Sequence, residues 1–183
     1  GVQTCALPIF EIRVRQDDGS TADRAATGGL ETRGHNVFSG YWHRPDANAE
    51  AFTDDGWFIT GDIAEIDDEG CVRLLGRSKD LVITGGLNVY PKEVEDALDA
   101  LLKGGESAVF GVPHPDFGEG VVAVVEGAKV DEKKLITALR KTLAAYKVPK
   151  RILPVSAIPK NRMGKVLKAD LRAAHRDLFS PSA

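Results

Sequence analysis

The 183-residue sequence has few of the residues that build disulfide frameworks or metal centres. Its two cysteines, Cys5 and Cys71, are too few for a network of disulfides or a cysteine metal site. We expect Cys71 to be a small buried residue in a strand. The histidines show neither metal-ligand spacing nor a paired nucleophile, and we interpret them as ordinary loop and surface residues. They are His35, His43, His114 and His175. The sequence therefore predicts no metal site within the chain.

Long apolar runs and phosphate-binding glycine motifs are also missing. Residues 1–9, GVQTCALPI, are apolar, but they are too short to span a bilayer and lack the basic flank of a signal peptide. We therefore expect a cytoplasmic protein, and we assign residues 1–9 to no domain, as a candidate artefact. The only methionine is Met163, so we expect a fragment or a processed product. No GxxxxGK[ST] motif is present, so we expect the triphosphate of any nucleotide to be bound elsewhere.

The charge is unevenly distributed, although the net charge is only -3. Residues 129–177 contain 14 Lys and Arg against 4 Asp and Glu, which leaves the remainder of the chain strongly acidic. Such a basic segment suits polyphosphates such as ATP and coenzyme A, but it could equally meet nucleic acid. A solvated basic helix surface is the simplest alternative.

The first part of the chain is predicted to be mostly β. FEIRVR at 10–15 alternates and can pair with GLETRG at 29–34, because DDGS between them is typical of a turn. A short helix is expected from about Pro45 to Phe52. Successive strands should follow, joined by a hairpin turn at 67–70, DDEG. We place a domain boundary at Gly76 to Asp80.

The remainder has the pattern of a compact α+β domain, with a small sheet flanked by helices. We predict a buried strand at Leu81 to Ile83 and helices from 91 to 102, from Asp131 to about Tyr146 and from about Ala169 to Phe179. Asp131 is the predicted N-cap of its helix. Further strands are expected at 107–112, 120–126 and 150–155. The helices should bury one apolar stripe each. These stripes are Val94, Leu98, Leu101 and Leu102 in the first helix, and Leu135, Leu139 and Leu143 in the second.

Three segments in register point to one family. GRSKDLVITGGLNVYPKEVE at 76–95 resembles the linker and first helix of the C-terminal domain of the acyl-adenylate-forming, or AMP-binding, enzymes. WFITGD at 57–62 and PKNRMGKVLK at 159–168 resemble two further motifs of that family, in the same order. Within the family, GGLNVYPKEVE at 85–95 followed by GVPHPDFGEGVVAVV at 111–125 looks most like malonyl-CoA synthetases. The resemblance implies that residues 10–76 are the distal part of the large N-terminal domain and that residues 77–179 are the mobile C-terminal domain.

Two charged sites are predicted to contact the reacting groups. Asp62 follows an apolar strand, where a carboxylate can accept hydrogen bonds from both hydroxyls of a ribose, and Arg77 can reach the same sugar. Lys165 follows Gly164 in a tight turn, where an ammonium can stabilise charge between a carboxylate and the α-phosphate of ATP. The family resemblance implies both roles. The alternatives are a turn-capping Asp with a surface Arg, and a solvated lysine.

The resemblance implies two further sites, a loop beside coenzyme A and a hinge. Gly85, Gly86 and Asn88 form a loop that flanks the pantetheine tunnel of coenzyme A in this family, although a plain β-turn is the alternative. Lys79 matches the hinge about which the C-terminal domain rotates between two half-reactions.

The predicted function is that of an acid-thiol ligase. By resemblance, a carboxylic acid, malonate or a similar small acid, reacts with ATP to give an acyl-adenylate and then with coenzyme A, with Mg²⁺ on the phosphates. The missing N-terminal domain would hold most of these ligands, and the chain alone should be inactive. The alternatives are another fatty-acyl or aryl-CoA ligase, a peptide-synthetase adenylation domain, and a non-catalytic basic module that binds nucleic acid or a protein partner.

Overall fold

The computed structural model describes residues 10–102, 104–127 and 130–180. It contains helices and two β-sheets, which confirms the predicted α+β class. The chain divides into two compact units, residues 1–79 and 80–183. Cys5 and the rest of residues 1–9 lie outside the described residues. No helix in the described ranges is long and apolar enough to cross a membrane.

The first unit is built on a five-stranded antiparallel sheet with strand order β2-β1-β3-β4-β5. Its strands are β1 (Phe10–Arg15), β2 (Thr21–Ala22), β3 (Ala26–Gly34), β4 (Phe58–Ile66) and β5 (Val72–Arg77). One short helix, α1 (Pro45–Ala51), precedes β4. The predicted pairing of 10–15 with the return strand is confirmed, since Val14 lies opposite Leu30.

The two faces of this sheet differ, since one holds an apolar cluster and the other holds a buried charged group. Val14, Leu30, Ala64 and Ile66 form the cluster. Glu31, only 1% exposed, points to the other face, where its carboxylate accepts hydrogen bonds from Arg13 and Arg15 at 2.6 Å each. A buried carboxylate needs such partners, because desolvation strongly disfavours an unpaired charge.

The second unit contains the other five strands and three helices of the described chain. The strands are β6 (Val82–Thr84), β7 (Leu87–Val89), β8 (Ser107–His114), β9 (Gly118–Glu126) and β10 (Arg151–Val155). The helices are α2 (Pro91–Leu102), α3 (Glu132–Leu139) and α4 (Lys168–Ala174). The sheet order is β10-β9-β6-β7, and β8 also pairs with β9. Only the β10 to β9 pairing is parallel among these.

Helices cover both faces of the central strands β8 and β9. Val109 packs on one face with α2 and α3, whereas Ala108 and Phe110 pack on the other face with α4. Alternate residues of a strand point to opposite faces, so a strand covered on both sides must be apolar throughout. This explains the continuous buried run of β9 from Val121 to Val125.

Two predicted helices are shorter than expected. The second ends at Leu139. After it, the amides of Lys141 and Thr142 donate to carbonyls three residues back instead of four, and the Thr142 hydroxyl also donates to the Leu139 carbonyl. Its predicted N-cap is confirmed, since the Asp131 side chain accepts from the Lys134 amide. The last helix ends at Ala174, after which the chain continues as turns to Ser180.

Three predictions of burial were wrong. Ile83 is 51% exposed, because β6 alternates and directs Val82 and Thr84 inward. Leu101 is 40% exposed, since the last turn of α2 directs Leu102 to the core instead. Cys71 is exposed, because it closes the 67–70 turn through its amide and lies just before β5.

Candidate functional site

Asp62 and Arg77 are brought together by strand pairing in the first unit. They lie directly opposite each other on β4 and β5, and Arg77 Nη1 is 3.0 Å from Asp62 Oδ1. Both side chains remain partly exposed, with 53% of Arg77 and 27% of Asp62 accessible. A carboxylate in this position has acceptor sites left for hydroxyl groups, and the guanidinium has further donors. The pair itself also gives a purely structural reason for both residues.

A local irregularity in β4 positions Asp62. Gly61 has φ of 74°, and the register of β3 with β4 shifts between Gly29 and Glu31. The Thr60 hydroxyl fixes this region, because it donates to the Leu30 carbonyl at 2.8 Å and accepts from the Asp62 amide at 3.0 Å. Such irregularities redirect side chains at the edge of a site. The sequence signal was the TGD triplet, but the pairing with Leu30 could not be read from it.

The two glycines of the second unit form a tight hairpin turn. Gly85 and Gly86 have φ of 57° and 78° and join β6 to β7, with Thr84 opposite Leu87. Two consecutive residues with positive φ are what a two-residue hairpin requires, and glycine adopts them at least cost. Asn88 is not part of this loop, contrary to the prediction, because it lies in β7 opposite Ile83.

The two residues of the glycine turn differ in their surroundings. The Gly85 amide donates to the Phe117 carbonyl at 2.8 Å, and a Cβ on Gly85 would contact the Phe117 ring at 3.5 Å. A Cβ on Gly86 would meet nothing within 4 Å. Gly86 therefore faces open space, and its conformation, not crowding within this unit, favours glycine there.

Lys165 lies on an exposed hairpin loop of the second unit. The Gly164 amide donates to the Asn161 carbonyl at 2.9 Å, and Gly164 has φ of 78°. An isolated bridge pairs Lys160 with Val166 across the base of the loop. Among the described residues, no hydrogen bond or ion pair engages the Lys165 ammonium. Asn161 was missed by the sequence analysis, although asparagine is a common first residue of turns.

Lys79 lies where the two units meet in sequence. A single 3₁₀ turn, Ser78–Asp80, links β5 to β6, and the division between units falls after Lys79. The next residue, Asp80, is tied within the second unit, because Arg172 Nη2 lies 3.0 Å from its carboxylate. The chain is thus anchored immediately after Lys79.

The glycine turn and the Lys165 hairpin lie near opposite ends of β9. Thr84, which precedes the turn, pairs with Gly118 at the start of β9. The base of the Lys165 hairpin is tied by Lys160 to Glu106 at 2.5 Å, and the Glu106 carbonyl accepts from the amide of Glu126 at the end of β9. At about 3.3 Å per residue, these ends are roughly 25 Å apart.

The basic segment 129–177 is partly neutralised by ion pairs. Among the described residues, five of its cations contact carboxylates, and four of these carboxylates lie outside the segment, before residue 129. The pairs are Lys147 with Glu93, Arg151 with Glu132, Lys160 with Glu106, Lys168 with Glu95, and Arg172 with Asp80. Hydrogen bonding to Glu93 raises the pKa of Lys147. These ion pairs interrupt the positive charge of the segment, so it does not form the continuous cationic surface that its sequence indicated.

The described residues offer no grouping of three or more His, Cys, Asp or Glu side chains that could hold a metal ion.

Residues 93–165 match the family model of the AMP-binding enzyme C-terminal domain. This match confirms the resemblance, and this part of the chain carries such a domain. The chain is 42% identical over 168 residues to a long-chain-fatty-acid–CoA ligase of Yersinia pestis, and 38% identical over 176 residues to a feruloyl-CoA synthase of an Amycolatopsis species. These alignments cover 91% and 93% of the chain but 30% and 36% of the relatives.

A solved structure with high similarity is that of ATP-bound MatB from Rhodopseudomonas palustris. It is 49% identical, with a TM-score of 0.85 over 96% of this chain and 36% of that protein. The chain therefore spans about a third of the length of the relatives that it matches.

Proposed function

We propose that this chain is the C-terminal part of an ATP-dependent acyl-CoA ligase. The observation that carries this proposal is the Lys165 hairpin. It presents an exposed ammonium, and Lys165 is the last residue of the segment that matches the family model. The named relatives, a long-chain-fatty-acid–CoA ligase, a feruloyl-CoA synthase and an ATP-bound protein, support the same class. Malonate or a similar small dicarboxylic acid is our proposed substrate, on the resemblance of residues 85–125, and the cytoplasm is the proposed location.

Lys165 would act in the first half-reaction. When the substrate carboxylate attacks the α-phosphate of ATP, negative charge gathers between the two groups and pyrophosphate leaves. A compact ammonium placed between them stabilises this transition state more than the separated reactants. Asp62 and Arg77 would hold the ribose, for which their partly exposed pair retains acceptor and donor sites.

The second half-reaction would use the glycine turn. The thiol of coenzyme A attacks the acyl-adenylate, forms the thioester and releases AMP. Gly86 faces open space, so a pantetheine chain could pass close to its backbone. Because this turn and Lys165 lie near opposite ends of β9, one orientation of the second unit cannot bring both to the same point. This separation supports rotation at Lys79, where a single turn links the two units.

The test uses a completed enzyme, made by joining this chain to the N-terminal part of MatB. We expect acyl-CoA formation by this chimera and none by the 183-residue chain alone. Lys165→Ala should lower adenylation about 10²- to 10⁴-fold, the loss expected for one transition-state donor, and spare thioester formation from supplied acyl-adenylate. Arg162→Ala on the same hairpin is the matched control. Equal loss in both half-reactions would contradict the proposed role.

The acid substrate needs a separate measurement, because the chimera takes its acid pocket from MatB. The protein's own upstream coding region should be joined to this chain and assayed with malonate, a long-chain fatty acid and ferulate. Preference for either of the latter would refute malonate while leaving the ligase class intact.

A non-catalytic nucleic-acid module is the rival proposal. It predicts binding that weakens steeply with salt and ignores nucleotide. The ion pairs that join cations of segment 129–177 to carboxylates outside it count against this rival, because they partly neutralise the basic surface that it needs.

A further inference from the structure

We propose that Asn161 is a positioning residue, which shapes the hairpin that carries Lys165 and leaves the lysine ammonium available to substrate. This role rests on the proposed function of Lys165 in adenylation. Asn161 would touch neither ATP nor the acid, and it would act only through the backbone of the loop.

Asn161 makes four hydrogen bonds within five residues of chain. Its side-chain Oδ1 accepts from the amide of Met163 at 2.9 Å and from the amide of Lys165 at 3.0 Å. Its own amide donates to the Lys165 carbonyl at 2.8 Å, and its carbonyl accepts from the Gly164 amide at 2.9 Å. Both polar backbone groups of Lys165 are therefore engaged by Asn161.

The residue type fits this geometry. A carboxamide oxygen has two lone pairs and can accept from two amides at once, and asparagine side chains commonly bond the backbone two residues on. Gly164, with φ of 78°, supplies the left-handed residue that a three-residue hairpin loop needs. An apolar side chain at position 161 would leave the Met163 and Lys165 amides to water, and the tip could then adopt other conformations.

The base of the hairpin is held independently of the Asn161 side chain. The Leu167 amide donates to the Pro159 carbonyl at 2.9 Å, and Lys160 is tied to Glu106. Ile158, which precedes the hairpin, is buried in the apolar cluster that also contains Phe110 and Leu171, and Val166 packs against the same cluster. Loss of the Asn161 side chain should therefore loosen only the tip.

A loosened tip matters because catalysis depends on placement. A misplacement of about 1 Å can cost roughly 10²-fold in rate, since the charge no longer meets the position where it is needed. The long lysine side chain is flexible by itself. Fixing its backbone restricts the volume that the ammonium explores.

The first test uses the 183-residue chain and requires no catalysis. Asn161→Leu removes the acceptor with little change in size, and Asn161→Asp keeps it. In the Leu variant, we expect hydrogen exchange of the Met163 and Lys165 amides with solvent to be about two- to tenfold faster. This is the change in exchange rate that the loss of one hydrogen bond should cause. The Leu167 amide should be unchanged, and the Asp variant should resemble the parent. Unchanged exchange at Met163 and Lys165 would overturn the proposal.

The second test uses the completed enzyme. Asn161→Leu should lower the rate constant of adenylation about tenfold or more and leave thioester formation from supplied acyl-adenylate unchanged, whereas Asn161→Asp recovers most of the rate. Arg162→Leu, on the same exposed loop, is the control. A full adenylation rate in Asn161→Leu, despite faster exchange, would overturn the positioning role. If Lys165→Ala left adenylation unchanged, the proposed function of Lys165 would be overturned, and the positioning role of Asn161 with it. The hydrogen-exchange result would still show whether Asn161 fixes the loop.

Discussion

The ion pair between Glu95 and Lys168 offers a sharp test of what stabilises the second unit. Glu95 lies on α2, and Lys168 begins α4, three residues after Lys165. Their charged atoms are 2.7 Å apart, and the side chains are only 14% and 17% exposed. The same Glu95 oxygen also accepts from the Val109 amide at 2.9 Å. The pair thus ties the helix after the Lys165 hairpin to α2 and β8. Lys168→Met keeps the bulk of the side chain and removes its charge.

The magnitude follows from the burial of the carboxylate that remains. Breaking a buried ion pair by removing one partner costs about 3–5 kcal/mol. Glu95 keeps the Val109 amide as a donor and some contact with water, so we expect a smaller loss, about 2–3 kcal/mol. For a unit of this size, that loss corresponds to a fall in Tm of about 10 °C. Lys92→Met is the matched control, because its pair with Asp96 is 60% and 61% exposed and should contribute about 0.5 kcal/mol or less.

The two units can be followed separately by spectroscopy. Both tryptophans, Trp42 and Trp57, lie in the first unit, so tryptophan fluorescence reports on that unit. Three of the four α-helices in the described ranges lie in the second unit, so circular dichroism at helical wavelengths reports mainly on it. Lys168→Met should lower the midpoint of the dichroism transition in urea or heat.

A double variant distinguishes an unpaired charge from lost packing. Glu95→Gln with Lys168→Met removes both charges but keeps an oxygen for the Val109 amide. It should recover about 1 kcal/mol or more relative to Lys168→Met. The reasoning is refuted if Lys168→Met costs no more than Lys92→Met, or if the double variant is as unstable as the sum of the single variants.

Three other predictions concern the remaining sites. Gly86→Leu in the completed enzyme should slow thioester formation and spare adenylation, whereas Gly86→Asn, which tolerates positive φ, should be milder; equal loss in both half-reactions would assign the turn to folding. Lys79→Pro should fix φ near about -65° and strongly slow one of the two half-reactions, whereas Lys79→Ala, the control, should change neither much. Both half-reactions are assayed for each variant. Equal loss in the two, together with a lowered Tm, would reject the hinge. Hydrogen bonding to Arg13 and then to Thr53 lowers the pKa of Asp55 below its usual 3.8. The stability from this contact is therefore present above about pH 4 and is lost as pH falls through the lowered pKa. Asp55→Asn should flatten the acid dependence of the urea midpoint, measured by tryptophan fluorescence between about pH 2 and 6, and an unchanged slope would contradict it.

The α+β class, the order of the strands along the chain and the family resemblance could be predicted from local sequence. Period-two and helical patterns, turn residues and the Asp131 cap act over a few residues, so they are legible in the chain itself. The glycines at 85, 86 and 164 likewise indicated turns, because positive φ is a local requirement that glycine meets most easily.

Contacts between distant residues were decided only by the tertiary structure. The exposure of Ile83 and Leu101 depended on which neighbours each element packs against, and the end of α3 depended on competing hydrogen bonds at Leu139. The ion-pair partners of Glu31 and Glu95 lie 16 to 73 residues away in sequence, so no periodicity reveals them. Motif spacing could place Lys165 at a turn, but the carboxamide of Asn161 that holds its backbone was visible only once the loop had closed.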